Sequence, residues 1–467
     1  MPRLPGYAWL LVLACATGCA DDGGGAPADG GGVDALAPDA PRGPAVLFLD
    51  RSGQPATSLL YGELFTVRLV GLKPGETVKL EARYKGYRSE AELEADAQGA
   101  VDLSSVAPKS GSYSGVDREG MLWSMKREEE DAPDAELDVT FTLLRGSVEI
   151  ARATMERLPV DALADKTQVT EDGIVGTYCT PKTATGPSPA VLAFGGSEGG
   201  SSFGEVYGSY LASLGCPSLG VAYFGTGSLP ATLDAVPLEY LETALKWLAR
   251  QKEVDPERIV VLGYSRGGEL ALMLGARFPQ LVRGVIAVVP SGVRWSSVHD
   301  VDRAAWTLGG KALSFIKWDA TAKPAAEKLP DGTTGYRTTP EFSQSLKATD
   351  PANLAASTIE VERTSGPILM LSGADDGVWP SCDLAKVAMD RLIAQGHAKT
   401  HGDSAICHED SGHRFGLPGR PTTDLYTMTG SDGKLTIRGG TPAGMSRAAR
   451  DADDRIRAFL RDLPAGP

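Results

Sequence analysis

Histidine is scarce in this chain: its 467 residues include five, so a reaction that needs an imidazole has few places to find one. Cysteine is scarce as well. Six are present, at 15, 19, 179, 216, 382 and 407, and none share the C-x-x-C spacing that would suggest a zinc site. No apolar run reaches the length that crosses a bilayer. Basic residues are outnumbered, 46 Lys and Arg against 60 Asp and Glu, for a formal net charge of −14. That balance argues against nucleic acid as a partner and gives no support for binding an anionic membrane surface. Neither G-x-x-x-x-G-K-S/T nor G-x-G-x-x-G occurs, so the glycine clusters are poor candidates for cradling phosphates. Nothing implies a metal or an organic cofactor.

The first residues read as a targeting segment rather than as part of a fold. Residues 1–19 hold one positive charge at Arg3, the short apolar core Tyr7-Ala-Trp-Leu-Leu-Val-Leu-Ala14, and two cysteines, the layout of an export signal. Val12-Leu-Ala-Cys15 and Ala16-Thr-Gly-Cys19 each resemble a bacterial lipobox. Cys19 is the favoured lipidation site, because a Gly- and Asp-rich tether follows it, and Cys15 is the alternative. The expectation is an exported lipoprotein on the periplasmic or cell-surface side, touching membrane only through its lipid. Residues 20–44 are Gly, Ala, Asp and Pro with almost no bulky apolar side chain, a disordered spacer by composition. Of the remaining cysteines, Cys216 and Cys407 fall beside or within expected buried strands, where a free thiol packs as a small hydrophobe. No disulfide is expected.

What the chain does have is Val260-Val-Leu-Gly-Tyr-Ser-Arg-Gly-Gly-Glu-Leu-Ala-Leu272. An apolar, β-branched run stops at a glycine, a serine follows two positions later, and an apolar-periodic helix begins at once. This is G-x-S-x-G at a strand–turn–helix corner, a nucleophile elbow. Gly263 and Gly267 remove the β-carbons that would collide there, leaving Ser265 exposed beside a helix N-terminus that favours developing negative charge.

Two domains follow from the change of period. From 45 to 159 the alternation is twofold, with strands expected at 45–49, 64–70, 77–83, 137–143 and 148–154 between Gly/Pro/Asp turns, an antiparallel β-sandwich. From 160 to 467, continuous apolar strands alternate with amphipathic helices, the pattern of a doubly wound, mostly parallel sheet of the α/β class. Residues 293–359 interrupt the alternation where a cap over a pocket would be inserted.

A serine nucleophile needs a base and the base an orienting carboxylate, supplied in this fold in the order Ser, acid, His. His413 lies just beyond the strand Ala405-Ile-Cys-His408 and is the expected base, whereas His397 and His401 read as surface histidines. The acid must follow the strand Pro367-Ile-Leu-Met-Leu-Ser372, where Asp375 and Asp376 stand side by side; spacing does not choose between them. The oxyanion donors are expected to be the backbone N–H of Arg266 and an N–H of the glycine-rich 195–200 loop, at Gly196 or Ser197. The Arg266 side chain is expected either to attract an anionic substrate group or to lie solvated at the helix start.

With these motifs in place the chain resembles the acyl-CoA thioesterase and bile acid-CoA:amino acid N-acyltransferase family. The resemblance rests on Ser114-Gly-Val-Asp-Arg-Glu-Gly-Met-Leu-Trp-Ser-Met125, Ala222-Tyr-Phe-Gly225, Pro237-Leu-Glu-Tyr240, the elbow, and Asp375-Asp-Gly-Val-Trp-Pro380. It implies a β-sandwich packed on an α/β-hydrolase domain, a small-molecule acyl thioester or ester as substrate, and Asp376 as the acid beside Ser265 and His413. The acyltransferase branch of the family carries cysteine at the elbow. Serine here favours hydrolysis, since an oxygen ester is less reactive toward amines than a thioester. The expected activity is therefore a serine hydrolase of acyl thioesters. The alternatives are an exported carboxylester or lipid hydrolase on the same residues, an acyltransferase, and an inert surface-anchored binding protein.

Overall fold

The computed structural model describes residues 43–128, 137–184, 186–319, 321–430 and 433–464. The export signal with Cys15 and Cys19, and nearly all of the spacer, lie outside them.

The N-terminal half is two sheets face to face. A three-stranded sheet runs Ala45–Leu49, Thr66–Val70, Val101–Asp102. The larger sheet runs Ser58–Leu60, Val148–Leu158, Val139–Arg145, Thr77–Tyr84, Tyr87–Glu94, Ser110–Gly111. Pairing is antiparallel except where Ser58–Leu60 lies parallel to Val148–Leu158. Every second residue of Thr77–Tyr84 and of Val139–Arg145 turns inward, so Phe48 of one sheet meets Phe141 of the other, ring centroids 5.5 Å apart. The strand Tyr87–Glu94 was not anticipated. Its inward residues include the small Ser89 and Ala91, and Arg88, Glu90, Glu92 and Glu94 face the rim, so its hydrophobic alternation is muted.

The second half is built on an eight-stranded sheet. Its strands are β1 (Ala164–Val169), β2 (Gly176–Pro181), β3 (Ser188–Phe194), β4 (Ser218–Val221), β5 (Val254–Tyr264), β6 (Gly284–Val288), β7 (Ile368–Gly373) and β8 (Ser404–His408). The order is β1-β2-β4-β3-β5-β6-β7-β8. The first two pairings are antiparallel and the rest parallel. Alternation along each strand sends side chains into two separate cores. Leu192, Phe194 and Val261 pack with α2 (Leu238–Ala249) and α3 (Arg266–Arg277). Val191, Ala193 and Leu262 pack on the other face with α1 (Ser202–Ser213) and α5 (Pro442–Asp462). Leu238, Leu241, Leu245 and Leu248 of α2 are all fully buried, each worth roughly 1.5–3 kcal/mol. This is the α/β-hydrolase arrangement, with the connections at the C-terminal strand ends free to carry chemistry.

Residues 293–359 contribute short strands and the helices Thr339–Ala348 and Pro351–Ser357. Their sheet is completed from elsewhere: Thr334–Arg337 pairs with Leu435–Ile437, and that strand with Thr427–Thr429. This sheet thus draws on two distant stretches of chain. Trp295, Ile316 and Phe342 of the segment form a cluster with Trp379.

One expectation is corrected. Cys407 is not a buried free thiol but is joined to Cys382 in the first turn of α4 (Ser381–Ala394), with the Cα atoms 5.5 Å apart. The reason is topological: β8 ends the sheet, so its side chains alternate toward solvent and Cys407 is exposed. Cys179 and Cys216 are free and buried. The bridge spans a sequence separation of 25, for which chain-entropy arguments give about 3 kcal/mol. Cys382→Ser or full reduction is therefore expected to lower unfolding free energy by about that amount, measured by urea titration with and without reductant. An unchanged midpoint would refute a stabilising bridge.

Candidate active site

Ser265 stands between β5 and α3 at φ 57°, ψ −119°, a conformation that costs a residue with a β-carbon about 1–3 kcal/mol. The neighbours hold it there. Its N–H donates to the Val288 carbonyl of β6 at 2.8 Å. A β-carbon on Gly263 would lie 2.0 Å from the Gly267 carbonyl oxygen, and one on Gly267 would lie 2.1 Å from that of Gly195. Only glycines let β3, β5 and α3 close on one another so tightly.

From this corner a chain of hydrogen bonds runs through three loops. The Ser265 hydroxyl lies 3.0 Å from His413 Nε2, and His413 Nδ1 lies 2.8 Å from Asp376 Oδ2. Because Asp376 can only accept, Nδ1 carries the proton and Nε2 accepts from serine. All three residues are buried, at 7%, 7% and 5% exposure. Asp376 is itself fixed, accepting the N–H groups of Val378 and Trp379 at 2.9 and 3.2 Å. Tyr264 donates its hydroxyl to the His413 carbonyl. Of the paired aspartates left open by spacing, Asp376 is the one that meets His413. Asp375 turns away, with Arg337 at 2.8 Å and the Gly440 N–H donating to it at 2.8 Å.

Two further histidines also meet aspartates, and neither has a serine beyond. His408 Nε2 lies 2.9 Å from Asp451. His397 is not the surface residue expected from sequence: it is buried, with Nδ1 2.6 Å from Asp403 and Nε2 2.8 Å from the Thr364 carbonyl. Both partners accept, an arrangement that favours the doubly protonated ring. Burial alone would lower its pKa, but the Asp403 and Thr364 hydrogen bonds outweigh it and hold it above the ordinary 6.5. The His401 ring lies against that of His397, centroids 4.3 Å apart and tilted by 31°, and His299 is exposed.

The donors for negative charge are only partly as expected. Arg266 N–H is the first of α3 and has no acceptor four residues back. A β-carbon on Gly196 would sit 2.9 Å from that of Ser265, so the 195–200 loop does lie against the serine. The Gly196 N–H, however, donates to both carboxylate oxygens of Glu198 at 3.0 Å. Ser197 is exposed beside it. Tyr223 pins this loop by its hydroxyl, 3.0 and 2.9 Å from the Gly195 and Gly196 carbonyls. Burial raises its pKa, which keeps the phenol a donor. Sequence reasoning missed Glu198, Tyr223 and Tyr264, although Tyr223 falls in the quoted Ala222-Tyr-Phe-Gly225.

The Arg266 side chain corrects both readings made from sequence. It neither faces substrate nor lies in solvent. Its guanidinium is buried, donating to the Ser296 and Trp295 carbonyls at 3.1 Å each and lying 3.3 Å from Glu269. Glu269, fully buried, accepts from Trp306 Nε1 at 2.6 Å, and burial raises its pKa against the pull of Arg266. The pair ties the first turn of the elbow helix to residues 295–296. Among the described residues no group of three or more His, Cys, Asp or Glu could hold a metal ion, and no helix is long and apolar enough to cross a membrane.

Comparison with known proteins places the geometry in context. Residues 236–463 match the family described as BAAT / acyl-CoA thioester hydrolase C terminal. Residues 62–171 match the acyl-CoA thioester hydrolase/BAAT N-terminal region. The chain is 27% identical over 430 residues to acyl-coenzyme A thioesterase 5 of Mus musculus, covering 88% of this chain and 96% of that one. It is 28% identical to the mitochondrial acyl-coenzyme A thioesterase 2 of Homo sapiens, covering 87% and 83%. Similar solved structures include a putative dienelactone hydrolase from Klebsiella pneumoniae, at 15% identity and TM-score 0.36, covering 64% of this chain and 98% of that one. Another is a Pyrobaculum calidifontis esterase, at 16% and 0.38, covering 64% and 85%.

Two stability predictions follow from the buried charges. Glu269→Ala leaves the Arg266 cation unpaired in the core and is expected to cost about 3–5 kcal/mol, with Glu269→Gln costing less; chemical denaturation measures both, and a loss under about 1 kcal/mol for the alanine would reject the pairing. His397 has a raised folded pKa, so its stabilisation is complete below the unfolded value near 6.5 and fades as pH rises through the folded one. Melting temperature should fall over that interval in wild type and fall less in His397→Gln. Parallel pH curves for the two proteins would contradict the cationic assignment.

Proposed function

The chain belongs to the acyl-CoA thioester hydrolase/BAAT family and is a hydrolase acting on thioester or ester bonds; from that premise we propose that it works through a Ser265 acyl-enzyme, with His413 as general base and acid and Asp376 as its orienting carboxylate. The observation that carries this reading is the continuous hydrogen-bonded line from Ser265 Oγ through His413 to Asp376.

The chemistry follows from the protons. Ser265 Oγ attacks the acyl carbonyl while His413 Nε2 takes its proton, and Asp376 stabilises the imidazolium without taking a proton itself. The carbonyl oxygen becomes an oxyanion facing the Arg266 N–H and the positive end of α3, with the 196–197 loop on the other side. Collapse expels the thiolate, which collects the proton from His413. Water then attacks the oxygen ester, His413 takes a proton from it, and Ser265 leaves reprotonated. For Gly196 to donate to the oxyanion, the Glu198 carboxylate must first release it.

A second reading shares this machinery: an exported carboxylester or lipid hydrolase. It is favoured by the Cys382–Cys407 bridge, since disulfides persist in oxidising compartments, and by the export signal with its lipidation site at Cys19 or Cys15. Outside the cytoplasm free acyl-CoA is not an expected substrate, whereas esters and other thioesters remain open to the same attack.

Ser265→Ala and His413→Ala should each reduce kcat by roughly 10⁴-fold or more, with the double variant little worse than either, because the residues act as a unit. Asp376→Asn, which leaves His413 in the wrong tautomer, should lose about 10⁴-fold. Matched acyl-CoA and p-nitrophenyl ester assays measure this and the leaving-group preference together. Ester turnover with no CoA thioester turnover selects the second reading, and substantial activity in either alanine variant rejects both.

A further inference from the structure

The β-sandwich touches the chemistry at one remove, through the stretch of chain after His413. The carbonyl of Arg438 accepts the N–H of His413 at 2.8 Å and that of Gly377 at 3.0 Å. One backbone oxygen thus joins the loop of the base to the loop of the acid. Gly439 and Gly440 complete the joint. A β-carbon on Gly439 would lie 1.8 Å from the Asp375 carbonyl, and one on Gly440 would lie 2.4 Å from the Gly412 nitrogen. This 438–440 segment runs directly into α5, whose first turn is capped by Thr441 at 3.0 Å from the Gly444 N–H.

Both ends of that joint are gripped by the sandwich. On α5, Arg450 donates twice to Glu119, at 2.5 and 3.2 Å, and once to the Gly62 carbonyl at 3.3 Å. Glu119 is buried at 7% exposure, so this pair is shielded from the screening that weakens surface ion pairs. Before the joint, the Thr422 N–H donates to the Trp123 carbonyl at 3.2 Å, and its hydroxyl to the Pro442 carbonyl at 2.7 Å. Thr423 donates to the Met125 carbonyl at 2.6 Å. Arg157, also buried, donates to the Gly419 carbonyl at 2.5 Å. Glu119, Trp123 and Met125 all come from the single turn that carries the Asp-Arg-Glu-Gly-Met-Leu-Trp-Ser-Met signature, to which the hydrolase chemistry assigns no task.

We propose that Glu119, through Arg450 and the 438–440 joint, is a positioning residue for His413, and that the sandwich serves as a strut holding base and acid in register rather than as a substrate- or partner-binding module. Glu119 touches no reacting atom. It fixes α5, which fixes the oxygen that both loops share. Displacements of about 1 Å at a base are enough to cost up to a hundredfold in rate. The inference rests on the Ser265–His413 reading above, and its test keeps the two apart.

The test uses the full mature chain with Glu119→Gln, Arg450→Met and the double variant, and Val46→Ala as a sandwich-core control outside the junction. Four quantities are read: kcat and KM on an acyl ester, the rate of fluorophosphonate labelling at Ser265, and the downfield proton resonance of the His413–Asp376 hydrogen bond. The singles are expected to lower kcat and labelling by about tenfold or more, to leave KM within about twofold, and to shift or broaden the resonance. The double should be no worse than either single, as coupled partners are. Unchanged kcat, labelling and resonance in both singles would overturn the proposal, as would an equal loss of kcat in the control at equal loss of melting temperature. Should wild-type protein neither label nor turn over, the hydrolase reading fails by itself, and the resonance still decides whether Glu119 positions His413.

Discussion

A residue with a β-carbon held at positive φ is the constraint on which the site depends. Ser265 occupies that conformation because three elements converge on it at distances that only glycines allow, and because its N–H is taken by β6. The strain of about 1–3 kcal/mol is local, while the packing that opposes it spans the centre of the sheet. Release at this corner would let the hydroxyl swing from His413 and move the Arg266 N–H from where an oxyanion would form. The buried Arg266–Glu269 pair adds a second anchor to the same turn of helix. Its guanidinium lies 3.3 Å from Glu269 and donates to the carbonyls of Trp295 and Ser296, which ties the elbow helix to the segment that begins at residue 293.

Legibility from sequence followed locality. The elbow could be read because glycine, serine and glycine at fixed offsets within five residues are themselves the signature of the tight corner. His413 could be read because few histidines exist and one follows the last strand. The aspartate could not be chosen from spacing, because what separates Asp375 from Asp376 is Arg337 and Gly440, far away in the chain. The same holds for Arg266. Its charge suggests solvent or substrate, and nothing near it in sequence announces that Trp295 and Ser296 will present carbonyls to it. Cys407 was misplaced because an apolar-looking strand says nothing of whether it will lie at the middle or the edge of its sheet. Tyr87–Glu94 was missed because a strand whose inner positions include serine and alanine has little hydrophobic contrast to detect.

Three histidine–aspartate pairs in one chain show why a dyad is weak grounds for function. His397 with Asp403, His408 with Asp451 and His413 with Asp376 have nearly the same nitrogen–oxygen separation. What differs is the atom on the other ring nitrogen. For His397 and His408 it is a backbone carbonyl, which can only accept, so the imidazole ties two pieces of structure together. For His413 it is a hydroxyl, which can donate, and that alone leaves the ring able to take a proton.

The two flanks of the site differ in how their order is maintained. On the acid side, the loop from 374 to 380 is closed at its base by Ser381, whose hydroxyl meets both the N–H and the carbonyl of Gly373 at 3.3 Å, and the Cys382–Cys407 bridge sits one residue beyond. A covalent link there limits how far α4 can drift from β8 whatever the ionic conditions. On the base side no covalent link exists among the described residues, and the path from His413 to α5 passes through glycines whose backbone packs directly on neighbouring backbone. Its position therefore follows that of the elements it is packed between. Arg438 supplies the shared oxygen, and the sandwich, through Glu119 and the carbonyls of Trp123 and Met125, supplies a body stiff enough to keep that oxygen still.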